Sequence, residues 1–500
     1  MTARPANSRY SVPSDRRQNG PHGWPRRRSI RLTTEAPLRF KVVLLAVILS
    51  PFLVLLGADH EPARALSIRQ WSGSAQTPNW STPGNWVGNA VPVNGDFVTF
   101  GDILPNLSRS VVNDIAGLSL ARVFFKSDSY AVSGNSLEVR EIVGLENAIG
   151  TRLSLPITGA GEFIIDNGST LRLSGNNTFT GRIDVRGVLE VGSNTALGSP
   201  AGITRTTTPG SILITPEVTS IGQETLSIQG DGKGINGGFY GALAVFPNPF
   251  TINNLQIVGE AVISATGVLN LPSGIQTPVQ YINLKLKTGT FVVGGVSNIP
   301  EGDIYLTYGA DVVWNSSATV LTFWIDPFVL APGETPPVEQ PVVSRLWGGG
   351  TTAEATVRAG EVSPRSGNSP TRLTMLDDFS LSNAAFSVLL NGTAPGTGYS
   401  QLTVGDLVEI GPGAKLNAQL NFAPAAGQSF RIIDVVRDNV TVAGTFDGLP
   451  EGATFSLGGR TWSITYKGGT GNDVVISTAP AAPVDPRPFK RTVPMLARDG

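Results

Sequence analysis

The chain has 500 residues, no cysteine and two histidines, and its 37 basic and 38 acidic residues leave a net charge of −1. Without cysteine there are no disulfides and no thiolate chemistry. The near-neutral balance, with no basic cluster beyond the N-terminal region, sets nucleic acid aside as a partner. Fifty-nine glycines and 36 prolines accompany abundant Thr, Ser, Asn and Val. With no long run of apolar residues at helical spacing, the pattern predicts an all-β protein of many short strands and tight turns.

Residues 1–65 form a segment of a different kind. Arg16, Arg17, Arg26, Arg27, Arg28, Arg31, Arg39 and Lys41 precede the apolar run Val42–Gly57, and Ala63-Arg64-Ala65 follows it. A basic flank, a short apolar stretch and a small-residue site read as an export signal cut after Ala65, with a long n-region. Ending at Gly57 and interrupted by Pro51, the run is short for a membrane anchor. The segment holds 11 of the 37 basic and 4 of the 38 acidic residues, so the remainder keeps 26 and 34, net −8. His22 and His60 both lie within it. The exported remainder then has neither His nor Cys, which removes Ser-His-Asp and Cys-His catalysis and the usual zinc sites. It also carries no apolar run long enough to span a membrane.

Residues 66–107 read as a Trp-rich N-terminal cap, with Trp71, Trp80 and Trp86 close together. Exposed indoles in such a cluster would stack on sugar rings; packed indoles would instead cover the open end of a stacked β-structure. The turn around Pro92, Asn94, Gly95 and Asp96 leads into an alternating strand, "FVTF".

Residues 108–325 form the repeat region. Short alternating pairs framed by glycine recur as "GNSLEV", "GSTLRLSG", "GVLEVG", "GVLNLPSG" and "GTFVVGG". The interval from Leu171 to Leu189 is 18, that from Leu269 to Phe291 is 22, and that from Leu189 to Leu269 is 80, close to four such steps. A loose period of about 20 with one strand-turn unit per period signals a solenoid, in which each coil buries its inward side chains on the next. Asn176-Asn177 fits a corner, where an asparagine can hydrogen-bond along the axis.

The stretch Leu171–Pro200, "LRLSGNNTFTGRIDVRGVLEVGSNTALGSP", resembles the autotransporter-associated β-strand repeat of bacterial surface proteins. The Trp-rich start and Val111–Phe125 resemble the N-terminal portion of such proteins, and "LNGTAPGTGYSQLTV" and "FDGLPEGATFSLGGRTWSITYKGGTGNDVVIS" resemble their C-terminal module. The resemblance covers about half of the exported part. It implies a right-handed parallel β-helix displayed outside the cell, and it implies no activity. Self-transporting members end in a membrane β-barrel. This sequence ends in "TAPAAPVDPRPFKRTVPMLARDG", so the expected fate is release or surface association by another route.

Residues 326–345, with Pro327, Pro332, Pro336, Pro337 and Pro341, read as a Pro-rich linker. Residues 346–478 read as an antiparallel β C-terminal module, its last segment folding as hairpins that turn at 448–452, 458–459 and 468–472. Residues 479–500 read as a disordered Pro-rich tail.

Three sets of residues are candidates for chemistry. Gly468–Ile476 fits the calcium-binding nonapeptide G-G-x-G-x-D-x-U-x, with Asp473 as the one candidate ligand. Calcium rolls bind each ion between successive copies and no second copy occurs, so no cofactor is expected, calcium included. Among the acids, Asp377-Asp378 would point to opposite faces of a strand, whereas Asp184 and Glu190 could share one face. Glu162, Asp166, Asp303 and Asp311 are scattered, and Arg182, Arg186 and Arg205 are the basic residues a lyase would use. A glycosidase needs a defined carboxylate pair, and the sequence singles out none. The expectation is therefore a non-enzymatic structural or adhesive protein at the cell surface or outside the cell, with no catalytic residues. Its partners would be extracellular polysaccharide or other surface components. A polysaccharide-binding or -cleaving protein that uses carboxylates is the alternative.

Overall fold

A computed structural model describes residues 67–103, 107–126, 129–232, 241–318, 321–325 and 343–481. The segment read as an export signal lies outside the described residues, as do nearly all of those read as the Pro-rich linker and the C-terminal tail. The described chain is all-β, with 42 strands, two 3-10 turns and no α-helix. The strands form sheets of 25, 8, 7 and 2 members.

Nearly all pairings are parallel, and partners lie about one period apart in sequence. Leu171 pairs with Thr151 on one side and Leu189 on the other. Leu269 pairs with Phe250 and Phe291. Both repeat intervals read from the sequence are thus true rungs. The count of four intervals from Leu189 to Leu269 does not hold. Leu189 leads through Ile212 and Leu243 to Ile263, whereas Leu269 belongs to the 8-stranded sheet. The step from Ile212 to Leu243 is longer than the steps on either side of it, because extra chain enters between rungs without disturbing the pairing.

Along the strands burial alternates, as in Thr290–Val293, Asp311–Trp314 and Leu321–Ile325. Parallel sheets covered by helices are apolar on both faces. Here one face is mostly polar and the other joins a large apolar core from Trp71 to Ile476, with a second small apolar cluster of Val188, Leu213 and Ala244 on the outer side. Between Ile282 and Ile325 each period sends one strand to the largest sheet and one to the 8-stranded sheet. The corner between them is made by Thr288-Gly289 and then by Tyr308-Gly309, all four at positive φ. Two consecutive left-handed residues turn the chain sharply, and glycine at the second makes half of that free of strain.

Asn177 is the clearest corner residue. It is buried, its Oδ1 accepts from Ile157 N (2.9 Å) and its Nδ2 donates to Ala196 O (2.7 Å). One side chain thus ties three successive rungs, as the corner assignment anticipated.

The Pro-rich segment does not separate two sheets. Asp311–Trp314 pairs with Arg345–Gly348 and Thr322–Ile325 pairs with Glu354–Val357, so both ladders cross it. Parallel pairing continues as far as Ala443–Gly444. Apart from the short hairpin Arg365–Ser366 with Ser369–Pro370, antiparallel strand pairing is confined to the end of the chain, where Ser429–Val435 meets Asp473–Thr478. Arg460–Gly468 and Thr454–Leu457 then extend that sheet. Gly458 and Gly459 join the last two strands with φ of +58° and +72°, as a two-residue type I′ hairpin requires.

Candidate functional site

The three N-terminal indoles are buried to within 1% of full coverage, so none offers a face to a sugar. Trp86 packs edge-on against Trp71 and Trp80, with ring centroids 5.1 and 6.0 Å away. Phe100 lies beneath them and stacks on Phe125 at 5.0 Å, which links the cluster to the next rung. Trp86 Nε1 donates to Trp80 O at 2.7 Å. Glycan stacking on these rings is therefore corrected: apolar area is worth more covered than wet at the end of a ladder, and the cluster is a plug.

Asp473 is also buried. Its Oδ1 accepts from Val435 N (2.9 Å), and its Oδ2 lies 3.2 Å from Arg431 Nε. Burial pushes its carboxyl above the usual range, against the opposing pull of that N–H and of Arg431. Asn472 Nδ2 donates to Arg437 O (2.8 Å) and Val435 O (3.2 Å). The "GGTGND" loop thus fastens the final hairpin to the preceding parallel strand, using the oxygens an ion would need. Asp473→Ala should lower stability by about 1–3 kcal/mol, since it strands the buried Val435 N–H and leaves Arg431 with Asp434 alone. Thermal denaturation measures this, and millimolar calcium should leave the wild-type Tm unchanged; a calcium-dependent rise would restore the metal reading.

The remaining candidates are distributed along the outside. Asp377 and Asp378 sit exposed in the turn between Arg372–Met375 and Phe379–Leu381 rather than on a strand, so the argument from opposite strand faces does not apply to them. Asp184 and Glu190 lie on different ladders. Asp184 binds Arg205 (3.0 Å) and Arg182 (3.3 Å), while Glu190 lies 3.4 Å from Arg172. Arg182 also meets Glu162 at 3.1 Å, Arg186 meets Asp166 at 3.4 Å, and Arg345 meets Asp311 at 3.2 Å. Except for Arg182 with Asp184, which share one rung, these ion pairs join neighbouring strands of a ladder.

One region is organised differently, and sequence reasoning missed it. On the outer face, Lys285, Tyr305, Trp324, Thr356, Ser380 and Glu409 occupy one column of paired positions. Tyr305 and Trp324 are nearly parallel (14°) with centroids 6.2 Å apart. Trp324 Nε1 donates to Asp303 Oδ1 at 2.9 Å, and Tyr281 OH donates to Asp303 Oδ2. The Arg358 guanidinium lies 5.9 Å from the centre of the Trp324 ring. On the C-terminal side opens a cleft of about 390 Å³ lined by Trp324, Glu354, Thr356, Arg358, Asp378, Ser380 and Glu409, among others. Burial first, and then the charges of Asp378, Asp377 and Asp303, raise the Glu354 carboxyl above its ordinary range. Asp378 Oδ1 accepts from Leu407 N at 3.0 Å. The available signal was the spacing of two outward aromatics, Tyr305 and Trp324, which matches the repeat.

Among the described residues no group of three or more His, Cys, Asp or Glu is placed to hold a metal ion, and no helix is long and apolar enough to cross a membrane. No protein-family model matches the sequence, and no curated protein matches it either.

Proposed function

We propose that this chain is an exported, non-enzymatic scaffold, wound as a right-handed parallel β-helix and serving a structural or adhesive role at the cell surface or outside the cell. The observation that carries the reading is the set of long parallel ladders, with an apolar inner face and ion pairs on the outer face linking adjacent strands of a ladder. Carboxylates held in that way are structural, since each is neutralised by a neighbour on its own or an adjacent rung. Closed ends suit a protein that stands alone: the indole plug covers the first rung and the final hairpins complete the last sheet. The basic and apolar segment before Ala65 and the resemblance of Leu171–Pro200 to an autotransporter-associated repeat support the location.

The test is fractionation of the producing cell, with protease shaving of intact cells and N-terminal sequencing of the product. The expected product is protease-accessible or released and begins at Leu66. A chain found inside the cell with its N-terminal segment still attached ahead of Leu66 would overturn the reading.

A further inference from the structure

We propose that the outer cleft beside Trp324 binds a polysaccharide carrying free amino groups, a polymer of hexosamine units laid along the ladder. The inference rests on the adhesive reading above and names the ligand class for it.

Three features carry it. The first is a fixed aromatic block. Trp324 is half-buried, stacked on Tyr305 and held through its indole N–H by Asp303, so little side-chain freedom is lost when a ligand arrives. A pyranose ring has an apolar C–H face that suits such a surface. The second is the row of short hydroxyl side chains, Thr356 and Ser380, on successive rungs of the column. Rungs recur about every 4.8 Å, a distance comparable with one pyranose unit, so a chain running along the axis meets equivalent groups repeatedly.

The third feature is charge. The cleft walls carry the carboxylates of Glu354, Asp378 and Glu409 against the single guanidinium of Arg358. Between Glu162 and Arg205 the carboxylates of Glu162, Asp166 and Asp184 are matched by arginine, whereas the cleft walls carry three carboxylates to one guanidinium. Such a wall repels uronate or sulfated polymers and attracts ammonium groups, which also favour the face of an indole. Beyond Tyr305 the same column continues on the N-terminal side to Lys285, paired with Glu260 at 2.9 Å, and the neighbouring Lys287 lies over the Tyr308 ring at 5.1 Å. The acidic, aromatic surface is thus local.

The experiment is titration of the purified full chain with chitohexaose, followed by tryptophan fluorescence and calorimetry. Hexa-N-acetylchitohexaose, an oligogalacturonate and hexalysine serve as comparison probes. Chitohexaose should bind, more weakly as salt rises, and the acetylated hexamer and the uronate should bind at least about tenfold more weakly. Trp324→Ala and the isosteric pair Glu354→Gln and Asp378→Asn should each weaken chitohexaose roughly tenfold. Asp378→Asn keeps an acceptor for Leu407 N, so that variant should fold normally. No binding of chitohexaose, equal binding of the acetylated hexamer, or binding unmoved by these variants overturns the proposal. Hexalysine binding as tightly as chitohexaose, unaffected by Trp324→Ala, overturns it in favour of a basic peptide. Because the purified chain is used, binding can fail while export holds, or succeed while export fails.

Discussion

Trp80→Ala is expected to lower the unfolding free energy by about 3–5 kcal/mol, the range for deleting a fully buried large aromatic. Trp80 is completely covered, meets Trp86 edge-on at 6.0 Å and lies 5.5 Å from Phe100. Losing the ring removes an edge-on partner of Trp86, although the Trp80 backbone carbonyl that accepts from Trp86 Nε1 remains. In a stack where each rung is buried by its neighbour, damage at the plug exposes the first rung and propagates inward. Urea denaturation should show a lower midpoint, and hydrogen exchange should accelerate first in Phe97–Phe100 and Leu118–Phe125. If exchange instead rises evenly to the final hairpins, the cluster is not acting as an end cap.

The second large effect is a pH dependence centred on Glu224. This residue is 3% exposed; its Oε1 accepts from Thr204 Oγ1 at 2.9 Å, and its Oε2 has no hydrogen-bond partner. Burial pushes its carboxyl from 4.5 up to about 7, and the single Thr204 bond offsets little of that. A carboxyl raised in the folded state binds its proton more tightly there than in the unfolded chain. Its contribution is therefore full below pH 4.5 and is lost as pH rises through about 7. A shift of this size corresponds to about 3 kcal/mol across the window. Glu224→Gln, which cannot ionise, should remove this dependence. The variant should match the wild type in acid and exceed it progressively between about pH 5 and 8. Parallel stability curves for the two proteins would show that Glu224 is hydrated in the folded state.

Much of the ladder was legible in the sequence because its physics is local. A strand with one buried face must alternate, and a sharp corner needs glycine or asparagine. Leu171 with Leu189 and Leu269 with Phe291 therefore emerged as rung partners, as did the axial role of Asn177. What was not legible depends on three-dimensional bookkeeping. The interval from Leu189 to Leu269 divides neatly into repeat lengths, yet Leu269 lies in another sheet, because a period can hold two strands of similar composition. The prolines of 326–345 suggested a linker between domains, yet Trp314 before it pairs with Gly348 after it. The fate of charged residues was equally hidden. Asp184 and Glu190 looked like neighbours, but arginines on adjacent rungs take each of them separately.

Aromatic residues were the least transparent. The conspicuous tryptophans near the N-terminus are interior, whereas Trp324, isolated in sequence, stands on the outer face beside acids drawn from three later turns and strands. A cluster in sequence marks a packing centre here, and the candidate site is assembled only across rungs.

The central claim is that the outer surface holds its ligand without cutting it. Glu354, with its raised carboxyl and the charge of Asp378 acting on it in the cleft, resembles an acid paired with a carboxylate. The most direct measurement is product analysis after prolonged incubation of the purified chain with a panel of polysaccharides that includes chitosan. The account predicts polymers of unchanged length, with no new reducing ends and no unsaturated products. New ends that appear with the wild type and vanish with Glu354→Gln or Asp378→Asn would contradict it and make the cleft an active site.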